Sequence, residues 1–104
     1  IKFILQQLKE LNAKQIHFVI GFVKDKDVSS VLKLFPSTAR YYFCKPDIER
    51  GLDETILQQQ ALLFGLGGNY FSSVKDALNS AMKNASKDDV IFIGGSTFVV
   101  AEVM

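Results

Sequence analysis

Ile16-His17-Phe18-Val19-Ile20-Gly21 and Val90-Ile91-Phe92-Ile93-Gly94 decide the fold. Each is a short run rich in β-branched and aromatic residues and closed by glycine, too short for a typical helix, so each reads as a strand. A third run, Ala39 to Cys44, is of the same kind and carries Tyr41-Tyr42-Phe43. None shows the strict apolar/polar alternation of a strand with one wet face. Strands that are apolar almost throughout belong to sheets covered on both faces.

The segments between them have helical period. Asp27 is a good N-cap for a helix with Val28, Val31, Leu32 and Phe35 on its apolar face, and Pro36 stops it. Pro46 and Gly51 mark the loop after the second strand. Asp53 caps a further helix with Ile56, Leu57, Ala61 and Phe64 expected inward, ended by Gly65, Gly67 and Gly68. Ser72 or Ser73 caps the next, whose apolar positions are Val74, Ala77, Leu78, Ala81, Met82 and Ala85. Ahead of the first strand, Ile1, Ile4, Leu5, Leu8 and Leu11 give an amphipathic helix ending near Asn12. After Gly94-Gly95-Ser96-Thr97 a last apolar segment runs to Met104. Strands alternating with helices predict an α/β fold, a Rossmann-like, mainly parallel sheet with helices on both faces. Crossovers should be right-handed. Three strands are thin for such a sheet, so the fold is expected to lack its first strand, which would precede Ile1. The chain also begins without Met inside a periodic segment, as a piece of a longer protein would.

The 104 residues suffice for one domain, residues 1–104, with a modest core. The 48% apolar and 22% charged fractions are those of a globular chain. Twelve basic and eleven acidic residues leave a net charge of +1 with no basic stripe, which disfavours nucleic acid as a partner. No apolar run can span a bilayer, and Leu5 is followed at once by Gln6 and Gln7, unlike a signal peptide. The single cysteine, Cys44, cannot form an internal disulfide and reads as a buried thiol in a cytoplasmic protein.

In open parallel sheets ligands bind beyond the carboxyl ends of the strands. Three loops qualify: Gly21 to Asp27, Lys45 to Asp53, and Gly94 to Thr97. The first packs Lys24-Asp25-Lys26-Asp27, either a lysine that binds a carboxylate or phosphate between acids, or a solvated turn with a helix cap. The third offers backbone N–H groups and the hydroxyls of Ser96 and Thr97 to an anion, or is an ordinary glycine turn. Arg50, in the second, could clamp a carboxylate with two N–H groups or remain a surface charge. Neither a P-loop nor a dinucleotide fingerprint is present, since Gly65-Leu66-Gly67 follows a helix rather than a strand. His17, the only histidine, stands inside a strand with no Cys, Asp or Glu beside it in sequence, and a structural role is the better reading. No metal site and no nucleophilic catalytic set can be assembled.

Val19-Ile20-Gly21 followed by Lys24-Asp25-Lys26-Asp27 resembles the Gly-x-x-x-Asp-Lys-Asp segment of the folylpolyglutamate synthase and dihydrofolate synthase family, in the Mur ligase superfamily. Asp89 to Ser96, then Val99-Val100-Ala101-Glu102-Val103, is similar to that family's final motif, and Pro46, Arg50 and Leu52 to its intervening loop. The resemblance implies a Mur ligase carboxyl-terminal domain, which closes over the active site and holds the incoming amino acid. In such an enzyme ATP phosphorylates a folate carboxylate, and the amine of L-glutamate attacks the acyl phosphate. ATP and Mg²⁺ serve the full-length enzyme, bound largely by the amino-terminal ATP-binding domain; neither is expected on this fragment, which should be inactive alone. Carried over by position, Lys26 and Ser96 contact the carboxylates of glutamate, Thr97 adds a hydroxyl and Phe98 a backbone N–H, while Asp25, Asp27 and Arg50 position the site. No residue here is catalytic in the strict sense and none binds metal. The family's Asp-x-x-His-Asn nucleotide motif would precede Ile1. Two other readings stand beside this one. The first is another Mur-type ligase acting on a cell-wall precursor. The second is a non-catalytic α/β binding module of receiver or flavodoxin type, although Phe43-Cys44-Lys45 lacks the acceptor Asp of a receiver.

Overall fold

A computed structural model describes residues 15–24 and 27–95. The helix expected near the start and the apolar segment after Thr97 lie outside them. The sheet has four parallel strands, β1 (Ile16–Ile20), β2 (Arg40–Cys44), β3 (Gly68–Phe71) and β4 (Val90–Gly94), in the order β3-β2-β1-β4. Helices α1 (Val28–Leu32), α2 (Glu54–Leu62) and α3 (Val74–Asn84) connect them. The sequence reading missed β3. Gly67 and Gly68 were expected to end a helix, but Gly68 instead opens an edge strand beside Tyr41, with only Phe71 packed into a core cluster. A four-residue strand with Asn69 and Tyr70 exposed shows no buried apolar run to announce it. Among the described residues the sheet is therefore four strands wide, one more than the apolar runs alone announce.

The caps form as the side chains dictate. Asp27 accepts from the Ser30 N–H and hydroxyl, Asp53 from the N–H groups of Thr55 and Ile56, and Ser73 from the Asp76 N–H at 3.1 Å. At the other end of α2 the Leu66 N–H reaches the Ala61 carbonyl at 3.0 Å and the Gly65 N–H reaches Leu62 at 3.1 Å. This is a Schellman closure with Gly65 at φ +76°, where a Cβ would be strained. Gly65-Leu66-Gly67 is thus a helix terminator, as its place after a helix implied.

Successive strand residues alternate between two cores. Phe18, Ile20, Tyr41 and Phe43 face α1 and α2, where Leu32, Leu57 and Ala61 are fully buried. Val19, Tyr42 and Cys44 face α3 through Val74, Ala77 and Ala81. On the first face Phe18 stacks on Tyr41 (centroids 5.3 Å, 11° between planes) and meets Phe35 and Phe92 edge-on. The aromatic run of β2 is strand packing, and Cys44 is a fully buried thiol. Three inward assignments are corrected: Ile56 is 46%, Phe64 36% and Met82 59% exposed. The buried stripe is the i, i+4 row of Leu57 and Ala61 in the one helix and the row Val74, Ala77 and Ala81 in the other, and these side chains fall outside it.

Candidate functional site

The chain steps from β1 to β2 to β3 in one direction, then α3 carries it back over the opposite face to β4, on the other side of β1. The strand order thus reverses between β1 and β4. A doubly wound sheet opens its ligand crevice where the order reverses, beyond the carboxyl ends of the two strands. The segments leaving those ends are the charged loop after Gly21 and the glycine turn after Gly94. They leave side by side: Ile20 pairs with Gly94, and the Gly21 N–H donates to the Gly94 carbonyl at 3.3 Å. Both glycines stand at one sheet edge, as expected. With β3 recognised, a fourth loop, at Ser72 and Ser73, also leaves this edge, beyond the three anticipated.

The loops are interlocked. Phe22, the residue after the strand-ending glycine, is fully buried and joins the core. Val23 forms an antiparallel bridge with Gly51, the Lys24 N–H donates to the Arg50 carbonyl at 2.7 Å, and the Leu52 N–H donates to the Phe22 carbonyl at 2.8 Å. The loop after β2 is itself folded tightly on the buried Pro46: the Ile48 N–H reaches the Pro46 carbonyl at 2.8 Å and the Gly51 N–H reaches Ile48 at 3.0 Å. A Cβ at Gly51 would stand 2.5 Å from the Pro46 oxygen, so only glycine fits there undisturbed. Gly95, at φ +92°, closes the third side, and a Cβ there would stand 2.5 Å from the Gly21 oxygen and 3.1 Å from the Phe22 ring. Sequence reasoning missed Phe22, Val23 and the pairing of Gly51. The one local signal was a phenylalanine directly after the strand-ending Gly21, which a solvated charged turn would not need.

Of the expected site residues, two are described. Asp27 is exposed and serves α1 as its cap; the Ser30 hydroxyl and N–H hold its carboxyl below the usual carboxylate range. Arg50 is exposed on the same edge as the first loop, and its carbonyl accepts from Lys24. Asp25, Lys26, Ser96, Thr97 and Phe98 lie outside the described residues. Lys26 follows the pinned Lys24 by two positions and Ser96 follows Gly95 directly.

Gly65 and Gly67 lie at the end of α2, not between a strand and a helix start, and among the described residues no three His, Cys, Asp or Glu side chains gather as a metal ligand set. Among them, too, no helix is long and apolar enough to cross a membrane.

At the amino edge, away from the crevice, lies a second polar cluster. His17 is fully buried, with one ring nitrogen 2.9 Å from the Tyr42 hydroxyl and the other 2.8 Å from the Asp89 carboxylate. Asn84 donates to the Tyr42 hydroxyl at 3.3 Å and the Ser86 N–H to Asp89 at 2.9 Å. No acid stands beside His17 in sequence, but Asp89 reaches it from far along the chain. Its place in a satisfied network inside the sheet fits the structural role.

The comparisons with known proteins fit this architecture. The model of the family described as "Mur ligase, glutamate ligase domain" matches residues 1–97. A probable bifunctional folylpolyglutamate synthase/dihydropteroate synthase of Haloferax volcanii is 35% identical over 96 residues, covering 91% of this chain and 12% of that protein. E. coli FolC in complex with DHPP and ADP superposes with a TM-score of 0.88 at 28% identity, over 99% of this chain and 24% of that one. A bifunctional folylpolyglutamate synthase/dihydrofolate synthase with Mn, AMPPNP and L-glutamate bound superposes with a TM-score of 0.83 at 25% identity, over 99% of this chain and 25% of that one. The chain therefore spans between about an eighth and a quarter of the length of these relatives. With four parallel strands in the same arrangement and a family match across nearly its whole length, the chain belongs to the family of the Mur ligase glutamate ligase domain.

Proposed function

We propose that this chain is the carboxyl-terminal, amino-acid-positioning domain of an ATP-dependent folylpolyglutamate synthase/dihydrofolate synthase. The observation that carries the reading is the meeting of the loops after β1 and β4 at the point where strand order reverses, with Lys26 and Ser96 immediately downstream of Gly21–Lys24 and Gly95. Two neighbouring loops that carry a lysine and a hydroxyl in their sequence suit a small dicarboxylic amino acid. Lys26 binds one glutamate carboxylate. Ser96, Thr97 and the Phe98 N–H bind the other, and Asp25, Asp27 and Arg50 hold the loops that carry them. Relatives solved with L-glutamate, with ADP, and with AMPPNP and Mn support glutamate, a nucleotide and a divalent metal as ligands of the intact protein.

The intact protein joins the glutamate amine to a folate carboxylate activated as an acyl phosphate. ATP and Mg²⁺ supply the phosphoryl group and neutralise its charge, and they are held by a part of the longer protein outside these residues. This domain aligns the amine, so that attack becomes effectively intramolecular. Residues 1–104 act as one domain of a cytoplasmic folate-metabolising ligase, and its partners are the ATP-binding domain of the same protein, folate and L-glutamate. The test is an assay of the intact protein for ADP release with each substrate omitted in turn. The reading expects turnover only with ATP, Mg²⁺, a folate and L-glutamate together. Turnover with a cell-wall precursor in place of folate, or indifference to glutamate, would point to another Mur-type ligase.

A further inference from the structure

We propose that a small cleft at the amino edge of the sheet, between the starts of β2 and β3, binds a short carboxylate that also carries a hydrogen-bond donor, the chemistry shared by small α-amino and α-hydroxy acids. The cleft lies at the edge opposite the crevice and uses none of its residues. It encloses about 170 Å³, and its walls include Arg40, Tyr42, Asn69 and Asn84, with Gly67 and Gly68 bringing no side chain to fill it. That is room for about five waters, and so for a ligand of about as many non-hydrogen atoms. The sheet builds the polar wall. Tyr42 and Asn69 are partners in register, and Arg40 stands two residues before Tyr42, so all three side chains leave the face that α3 covers. α3 ends at Asn84, over the same corner.

What these groups have to spare defines the ligand. The Tyr42 hydroxyl is engaged by His17 at 2.9 Å and by the Asn84 Nδ2 at 3.3 Å, so it anchors the Asn84 carboxamide and leaves that group's oxygen as an acceptor. Among the described residues the Arg40 guanidinium has no acid within ion-pair distance, and the Asn69 carboxamide has no hydrogen-bond partner. Asp89, which feels the Arg40 charge, is already held by the Ser86 N–H at 2.9 Å and by His17 at 2.8 Å. One guanidinium matches one carboxylate through its fork of N–H groups. Carboxamides both donate and accept, so they complete a ligand with a hydroxyl or ammonium beside its carboxylate. A dianion such as phosphate fits less well, because Asp89 stands near and α3 brings the negative end of its dipole to this corner.

The experiment is a titration of the isotope-labelled intact protein with L-alanine, L-lactate, propionate and inorganic phosphate, followed by NMR at the side-chain amide signals of Asn69 and Asn84. L-Alanine, L-lactate or both should shift these signals along a saturable curve, and which of them does so names the source. Propionate has the carboxylate without the donor and should bind about two-fold more weakly or worse. Arg40→Gln, at an exposed position, should weaken binding about five-fold. Asn69→Ala, exposed as well, should weaken it when read at Asn84, and it serves alone if Arg40→Gln does not fold. No saturable shift with either acid, or binding unchanged in these variants, overturns the site. Propionate binding as tightly as the two acids, or phosphate binding more tightly than both, overturns the ligand class.

Discussion

Gly67 and Gly68 are neighbours of identical chemistry, and the fold treats them oppositely. Gly68 opens β3 opposite Tyr41, so close that a Cβ would overlap the Tyr41 carbonyl oxygen and stand 2.8 Å from its carbonyl carbon. That is about 0.7 Å inside the roughly 3.5 Å at which two carbons rest comfortably. The neighbour is backbone and cannot swing aside, so Gly68→Ala must push β3 away from β2. The move also strains the bond in which the Gln58 amide donates to the Gly68 carbonyl at 2.7 Å. Overpacking of this kind costs about 1–3 kcal/mol. For a chain of this size that is a fall in Tm of between about 4 and 24 °C. Gly67 has open space around it and no left-handed φ. Gly67→Ala should be neutral, or stabilise by up to about 1 kcal/mol through the unfolded chain. Thermal unfolding of the two variants beside the parent checks the pair. If Gly68→Ala melts within about 2 °C of the parent, the segment is not a strand in register with Tyr41, and the four-strand sheet is wrong.

Leu57→Ala should cost about 2–5 kcal/mol, because Leu57 is fully buried between α2 and the sheet, whereas Leu63→Ala, at a position 83% exposed, should stay within about 0.5 kcal/mol in urea unfolding. Ser73→Ala should cost about 1 kcal/mol in the same assay through loss of the α3 cap. The Asp89 carboxyl is held below its ordinary value by the Ser86 N–H and then by His17, and those of Asp27 and Asp53 by their capping bonds. Folded values below unfolded ones mean that the stability these groups give is complete above the unfolded carboxylate pKa of about 4, and is lost as pH falls through the folded values. The urea midpoint should therefore drop on the acid side of about pH 4, and Asp89→Asn should flatten that acid limb while lowering the midpoint at neutral pH.

Where local chemistry sufficed, the fold could be read directly. Apolar runs closed by Gly21, Cys44 and Gly94 gave β1, β2 and β4, and Asp27, Asp53 and Ser73 announced three helix starts by hydrogen bonds made within three residues. What escaped depended on contacts distant in sequence. The Gly68–Phe71 segment is a strand because Tyr41 to Cys44 lie beside it, not because its own residues insist on extension. Phe64 reads as an inward residue, but the Schellman closure at Gly65 ends the helix before it and leaves its side chain exposed. His17 has no acid beside it in sequence, and Asp89 comes to it from just ahead of β4, 72 residues further on. At the crevice the charged loop and the glycine turn were legible as candidates, because parallel sheets bind ligands at that edge. The ladder tying Phe22 and Lys24 to Arg50 and Leu52 was not, since backbone pairing between two irregular loops leaves no mark in either one.

The central claim is that the loop after β1 carries a lysine for the carboxylate of an amino-acid substrate. Steady-state kinetics of the intact Lys26→Ala enzyme, with L-glutamate varied at saturating ATP and folate and then ATP varied at saturating glutamate, test it most directly. A charge-assisted hydrogen bond worth about 1.5–3 kcal/mol predicts a glutamate KM raised about ten- to a hundred-fold. The ATP KM should stay nearly unchanged, and Lys26→Arg should give only partial recovery because a planar fork does not replace a point charge. A glutamate KM that moves less than about two-fold, or a glutamate and an ATP KM that rise together, would contradict the account.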